Sequence, residues 1–230
     1  MSDDASAWAQ TVEALGRKRE LQYEPVGGIN PKGEPAALCP GGTNRLTGQL
    51  TDGFWGASCD ADERESGGGL FRSGSVLPRA VIVKAHMPDL ATVVPVFNVE
   101  SVERTAEDAF DRRSRRRVEF ESVDFNKRFI ATVPSDHDPI ALRELFSPAF
   151  IDWTTRIPNE VDFGITDRQL FFFWRLGELS SEQLGAAHKL AGGLFVRLHR
   201  EMEENDIEIY GPGPWNAGLE PFPVSPGGAS

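Results

Sequence analysis

Residues 117–177 constrain the fold of this chain more than any other stretch. Two strand-rich pairs flank a helix that starts at proline, with FESVDFNKRF at one end and ITDRQLFFFWRL at the other. In VEFESVDFNKRFIATV, Val118, Phe120 and Ser122 alternate with Glu119 and Glu121, and Phe125, Arg128 and Ile130 resume extended structure. That alternation predicts two strands, or one bent strand with Asp124 and Asn126 near the bend. Asp138 then stands as an N-cap, with Pro139 at the first helical position, where its missing amide costs nothing. Ile140, Leu142, Leu145 and Phe146 supply the apolar side of this helix until Pro148 interrupts it, and the further turn AFIDWTTRI stops at Pro158. VDFGIT and RQLFFFWRL around Thr166-Asp167 predict a hairpin, and its second arm, apolar on successive residues, suits a sheet covered on both faces. Ser180 with Gln183 forms a capping box for a last helix. Leu184, Ala187, Ala191, Leu194, Phe195, Leu198 and Met202 give that helix a continuous apolar stripe, which should lie against the sheet.

The first half is more broken. Trp8, Val12 and Leu15 sit at helical spacing and predict a short amphipathic helix over 5–15, while the Gly/Pro-rich segment 24–42 reads as loop or linker. RLTGQL and FWGASCD flank Thr51-Asp52-Gly53 and predict a hairpin. The glycines at 67–69 mark a mobile loop over 64–74. RAVIVKAHM reads as a short buried strand and TVVPVFNV as another, where Pro95 removes a ladder donor and favours a sheet edge. Residues 101–117 carry acids first and arginines last, a solvated helix or a connector. The resulting organisation is an N-terminal helix (1–22), a β-rich lobe (23–100), a charged connector (101–117), an α+β lobe (118–205) and a Gly/Pro-rich tail (206–230). The fold class is α+β: mostly antiparallel sheet covered by a long C-terminal helix and a shorter proline-started one.

Composition narrows the function. With 230 residues the chain can bury roughly 70% of its unfolded surface, enough to fold without metal or disulfide. Its formal charge of -11 repels phosphate backbones, so nucleic acid is not an expected partner. Two cysteines, Cys39 and Cys59, fall short of a disulfide framework, and MSDDASAWAQ lacks the basic flank and apolar core of a signal peptide; both point to the cytoplasm. The apolar runs at Ala80 and Leu170 are far shorter than the roughly 20 residues of a membrane span.

Chemistry-bearing groups are sparse. Asp136, His137 and Asp138 form the one compact titratable group able to relay a proton or bind a metal, but spacing marks no converging ligand from elsewhere, and Asp138 as a helix cap explains it more simply. His188 and His199, eleven positions apart on one helix, rise about 16 Å relative to each other and cannot share an ion; they read as partly buried edge residues. Gly67, Gly68 and Gly69 are followed by Leu70-Phe71-Arg72 rather than the Gly-Lys-Ser of a phosphate loop. The run Arg112, Arg113, Arg115, Arg116, Arg117 is the best candidate for an electrostatic contact with an anionic partner, but Glu107, Asp108, Asp111, Glu119 and Glu121 offset its field, and a solvated face or interdomain salt links explain it more simply. No metal or cofactor is implied.

The run Val118-Glu119-Phe120-Glu121-Ser122, followed by Asp124-Phe125-Asn126-Lys127-Arg128-Phe129, resembles an E-S-x-x-F-N-x-x-F motif of uncharacterised actinobacterial hypothetical proteins. The resemblance extends from Tyr23 to Leu198 and takes in the Leu46-Thr47-Gly48 hairpin. It implies an α+β domain of unassigned activity. The expectation is therefore a non-enzymatic protein that binds a protein partner or a small ligand, with a hydrolase using His137 and Asp136 or Asp138 as the alternative.

Overall fold

The computed structural model describes residues 3–26, 43–51, 54–61, 80–86, 96–102, 115–166, 169–175 and 180–205. Its elements in chain order are α1 (Asp3–Lys18), β1 (Gln22–Val26), β2 (Thr43–Thr51), β3 (Phe54–Ala61), β4 (Ala80–His86), β5 (Phe97–Ser101) and β6 (Arg115–Val118). There follow α2 (Val123–Arg128), β7 (Phe129–Pro134), α3 (Pro139–Leu145), α4 (Pro148–Thr154), β8 (Val161–Thr166), β9 (Gln169–Arg175) and α5 (Ser181–Glu204). All nine strands join one antiparallel sheet in the order β1-β2-β3-β4-β9-β8-β5-β7-β6. This is the α+β class that the alternating patterns predict, and strands from both 23–100 and 118–205 share the sheet.

One row of directly opposed residues crosses every strand: Tyr23, Leu46, Ser58, Val83, Phe172, Phe163, Val99, Ala131 and Val118. Side chains alternate faces along a strand, so this row and the rows two residues away define a single face. Its apolar members belong to one continuous core with the stripes of α1 and α5 and with Leu142, Leu145, Phe146, Phe150 and Ile151 of the α3–α4 region. Gly56 and Gly164 allow close strand approach, since a Cβ there would meet the Lys84 and Phe97 carbonyl oxygens at 2.0 and 2.2 Å.

The helix starts follow the capping residues. Asp138 accepts from the Ile140 amide at 2.9 Å, Ser147 from Phe150 at 3.1 Å and Ser180 from Gln183 at 3.1 Å. Pro148, which ends the preceding helix, is also the first residue of α4. The end of α1 carries paired bonds from Leu21 to the Gly16 carbonyl and from Glu20 to that of Arg17, with Glu20 left-handed at φ 58. This is the arrangement in which glycine is usual.

Three expectations need correction. Residues 118–130 are neither two strands nor one bent strand: β6 ends at Val118, α2 takes 123–128, and β7 begins at Phe129. Ser122 caps α2 by accepting from the Phe125 amide, and the Asn126 side chain clamps both backbone groups of Phe120. Phe125 and Phe129 are fully buried, so the E-S-x-x-F-N-x-x-F motif is occupied with capping and packing. The second correction concerns TVVPVFNV: its strand starts at Phe97, beyond Pro95, and so pairs on both sides as an interior strand. Third, the stretch 101–117 gives its two ends to strands, because Ser101 closes β5 and Arg115–Arg117 open β6, with 103–114 outside the described residues; the loop read at 24–42 likewise yields its first residues to β1. The loop at 64–74 and the tail 206–230 lie outside the described residues.

Candidate functional site

The densest buried polar arrangement lies where α1 and α5 cover β1–β4. Ser58 and Asp60, two residues apart on β3, point to the helix-covered face. Asp60 is 6% exposed and holds a carboxylate among neutral donors. The Trp8 indole N–H on α1 donates to both its oxygens at 3.0 Å, and the Asn44 amide and Thr43 hydroxyl donate to Oδ2. Asn44 reaches it from a left-handed backbone (φ 49) inside an irregularity of the β2–β3 register, a conformation asparagine tolerates. Its carbonyl oxygen accepts from the Tyr23 hydroxyl at 2.9 Å, which completes a chain from β1 through β2 to β3. Burial pushes the Asp60 pKa up to about 6, against the pull of the Asn44, Trp8 and Thr43 bonds. Burial, then the negative charges of Glu13 and Asp60, raises that of Tyr23.

Beside this chain, Ser58 Oγ lies 2.9 Å from His188 Nε2 of α5. Both are closed to solvent, at 2% and 1% exposure. Burial, with Arg19 nearby, pulls the His188 pKa down to about 3, so the imidazole is neutral at ordinary pH. His188 Nδ1 is buried with no hydrogen-bond partner among the described residues. A hydroxyl against a neutral imidazole is the start of a nucleophile–base pair. A working pair needs a group that orients the imidazole through its other nitrogen and space beside the hydroxyl for the reacting atom. Asp60, the nearest carboxylate on β3, is committed to Trp8, Asn44 and Thr43 instead.

The residues singled out from sequence lie elsewhere. Asp136 and Asp138 are exposed and His137 is half-buried at the β7–α3 turn, where the His137 amide bonds to the Pro134 carbonyl and Asp138 caps α3. Among the described residues no group of three or more His, Cys, Asp or Glu side chains is placed to hold a metal ion. Arg115, Arg116 and Arg117 form most of β6 at one end of the sheet, and Arg112 and Arg113 lie outside the described residues. His188, read as a helix-edge residue, is in fact fully buried, whereas half-buried His199 lies 3.4 Å from Glu203. Cys59 is buried on the opposite sheet face from Ser58, and Cys39 is outside the described residues.

Sequence reading passed over Trp8, Tyr23, Asn44, Ser58 and Asp60 as site residues. A signal existed: in GASCD small residues alternate with Ser58 and Asp60, which puts two polar groups on one strand face, and His188 falls within the apolar stripe between Leu184 and Ala191. No family model matches the chain, and no curated protein matches it. Among solved structures, the crystal structure of the mycobacterial trehalose monomycolate transport factor A is similar, with a TM-score of 0.56 over 84% of this chain and 95% of that one, at 11% sequence identity. At that identity the likeness is one of fold alone.

Proposed function

We propose that this chain is a non-enzymatic α+β protein that works by binding a protein partner or a small ligand. The observation that carries this reading is the state of the Ser58–His188 pair. Its imidazole Nδ1 has no hydrogen-bond partner among the described residues, its hydroxyl is sealed beneath α5, and the carboxylate on the same strand is tied into a structural hydrogen-bond chain. The fold shared with a transport factor supports the same direction, since such a protein is named for moving a molecule and not for altering one.

A hydrolase is the second reading, and the 2.9 Å Ser58–His188 contact favours it over one built on His137, whose neighbour Asp138 is engaged as a helix cap. The two readings separate on treatment of the purified chain with a fluorophosphonate probe and a panel of ester, amide and phosphate substrates. The binding reading requires an unmodified Ser58 peptide by mass spectrometry, and turnover indistinguishable from that of Ser58→Ala. Labelling at Ser58, or turnover abolished in both Ser58→Ala and His188→Ala, would establish the hydrolase.

A further inference from the structure

The sheet is open, and its two ends differ. At one end β1 carries Pro25, which has no amide to offer a further strand. At the other end β6 reads Arg-Arg-Arg-Val without proline, and among the described residues no strand lies beyond it. An edge strand presents a row of unpaired amides and carbonyls along its outer side. Val118 faces the core and is 1% exposed, so Arg116 shares its face while Arg115 and Arg117 point to the opposite one. The strand therefore combines a backbone able to pair with guanidinium groups on both sides of the sheet.

We propose that the outer edge of β6 docks an extended, acidic segment of a partner protein as an added antiparallel or parallel strand. The inference rests on the binding reading above and names the partner class. The arginines retain the donors for it. Arg115 Nη1 donates to Thr132 Oγ1 at 3.2 Å and Arg116 Nη2 to the Ser135 carbonyl at 3.1 Å, which among the described residues leaves most of the five N–H groups of each guanidinium available. Arg117 lies 3.6 Å from Glu119 in an exposed pair, weak enough for an incoming carboxylate to compete. A second copy of this chain is a poor occupant, because pairing β6 with itself sets arginine against arginine. Nucleic acid would meet the arginines but would leave the strand amides unused. An acidic strand answers both the charges and the backbone.

The test uses the full chain and a fluorescein-labelled peptide of alternating Glu and Val, about eight residues long, the length of an ordinary strand. Fluorescence anisotropy should show saturable binding that weakens with salt. Arg116→Glu/Arg117→Glu, at exposed positions, should weaken it at least about tenfold while circular dichroism stays unchanged. A peptide of equal charge with proline at alternate positions should bind at least about tenfold more weakly, since it cannot pair. Hydrogen exchange should show the outward amides of Arg115–Val118 unprotected in the free chain and protected in the complex. The proposal is overturned by any one of four results: no binding of the Glu-Val peptide, equal binding of the proline peptide, tighter binding of a single-stranded oligonucleotide, or edge amides already protected in the free chain. Each of these outcomes leaves the fluorophosphonate result untouched, so the edge and the wider binding reading fail separately.

Discussion

The two halves of one sheet face share an apolar core and differ in what is added to it. Over β5, β7 and β8, aromatic rings do the packing: Phe146 meets Phe97, Phe120, Phe125, Phe150 and Phe163 with centroids 4.7 to 6.5 Å apart. Over β1–β4, buried polar pairs join the apolar contacts: Trp8 of α1 and Asn44 of β2 bond Asp60 of β3, and α5 meets β3 through His188 and Ser58. The aromatic half gains from every apolar surface it removes from water. The polar half gains less per bond and leaves a large penalty if any partner is removed, because a buried group without its bond loses its solvation outright. The difference assigns tolerance: rings can be traded for others of similar volume, whereas the polar chain demands particular atoms.

The largest expected effect breaks the aromatic half. Phe146→Ala removes the ring at the centre of the cluster and should lower unfolding stability in urea by about 3–5 kcal/mol, while Phe146→Leu should cost clearly less. Equal losses from the two substitutions would mean that ring contacts, not filled volume, hold this half together.

The next effect belongs to the polar half and depends on pH. The folded chain keeps a proton on Asp60 up to about pH 6, where an unfolded aspartate loses it near 3.8, so this group makes stability rise as pH falls between those values. His188 acts in reverse: the unfolded imidazole takes a proton below its ordinary 6.5 and the folded one does not until about pH 3, so its contribution is lost as pH falls. From about pH 6 to 4 the two changes cancel, because the folded and unfolded chains hold the same number of protons on this pair of residues. Asp60→Asn should uncover the histidine, with stability falling by about 1.4 kcal/mol per pH unit on acidification through that window. His188→Gln should uncover the aspartate and give the opposite slope. Chemical denaturation at stepped pH measures both, and slopes of the same sign in the two variants would contradict the assignment.

Trp8→Phe keeps the apolar ring and deletes the donor to Asp60. A loss of roughly 1.5–3 kcal/mol is expected, as for a hydrogen bond to a charged group, together with faster amide exchange in α1 and little change in α3 and α4. Glu20→Gly gives the smallest effect and a favourable one. Relief of the left-handed φ of 58 should raise stability by roughly 0.5–1 kcal/mol, seen as a higher thermal midpoint.

Much of the fold is legible in the sequence because its causes are local. Asp138 before Pro139, Ser180 before the stripe from Leu184 to Met202, and VDFGIT before RQLFFFWRL each state their structure within a dozen residues. The error at 119–128 has a physical cause as well. Alternating Val118, Phe120 and Ser122 fit a strand, but the Ser122 cap and the Asn126 clamp on Phe120 satisfy the backbone locally and turn it into a helix. The arginine run is evident in the sequence, and the place of Arg115–Arg117 on the last described strand of the sheet is not.

What the sequence determined by itself is therefore most of the inventory: the α+β class, the helices and strands whose caps and turns are local, their apolar faces, and the net negative charge. What only the tertiary structure decided is the pairing. Trp8 and Asp60 stand 52 positions apart, and Ser58 and His188 stand 130 apart. No periodicity links such residues, because their meeting depends on the strand order that brings β3 beneath α1 and α5, and a long-range contact leaves no mark on its local sequence beyond a polar residue where an apolar one would do.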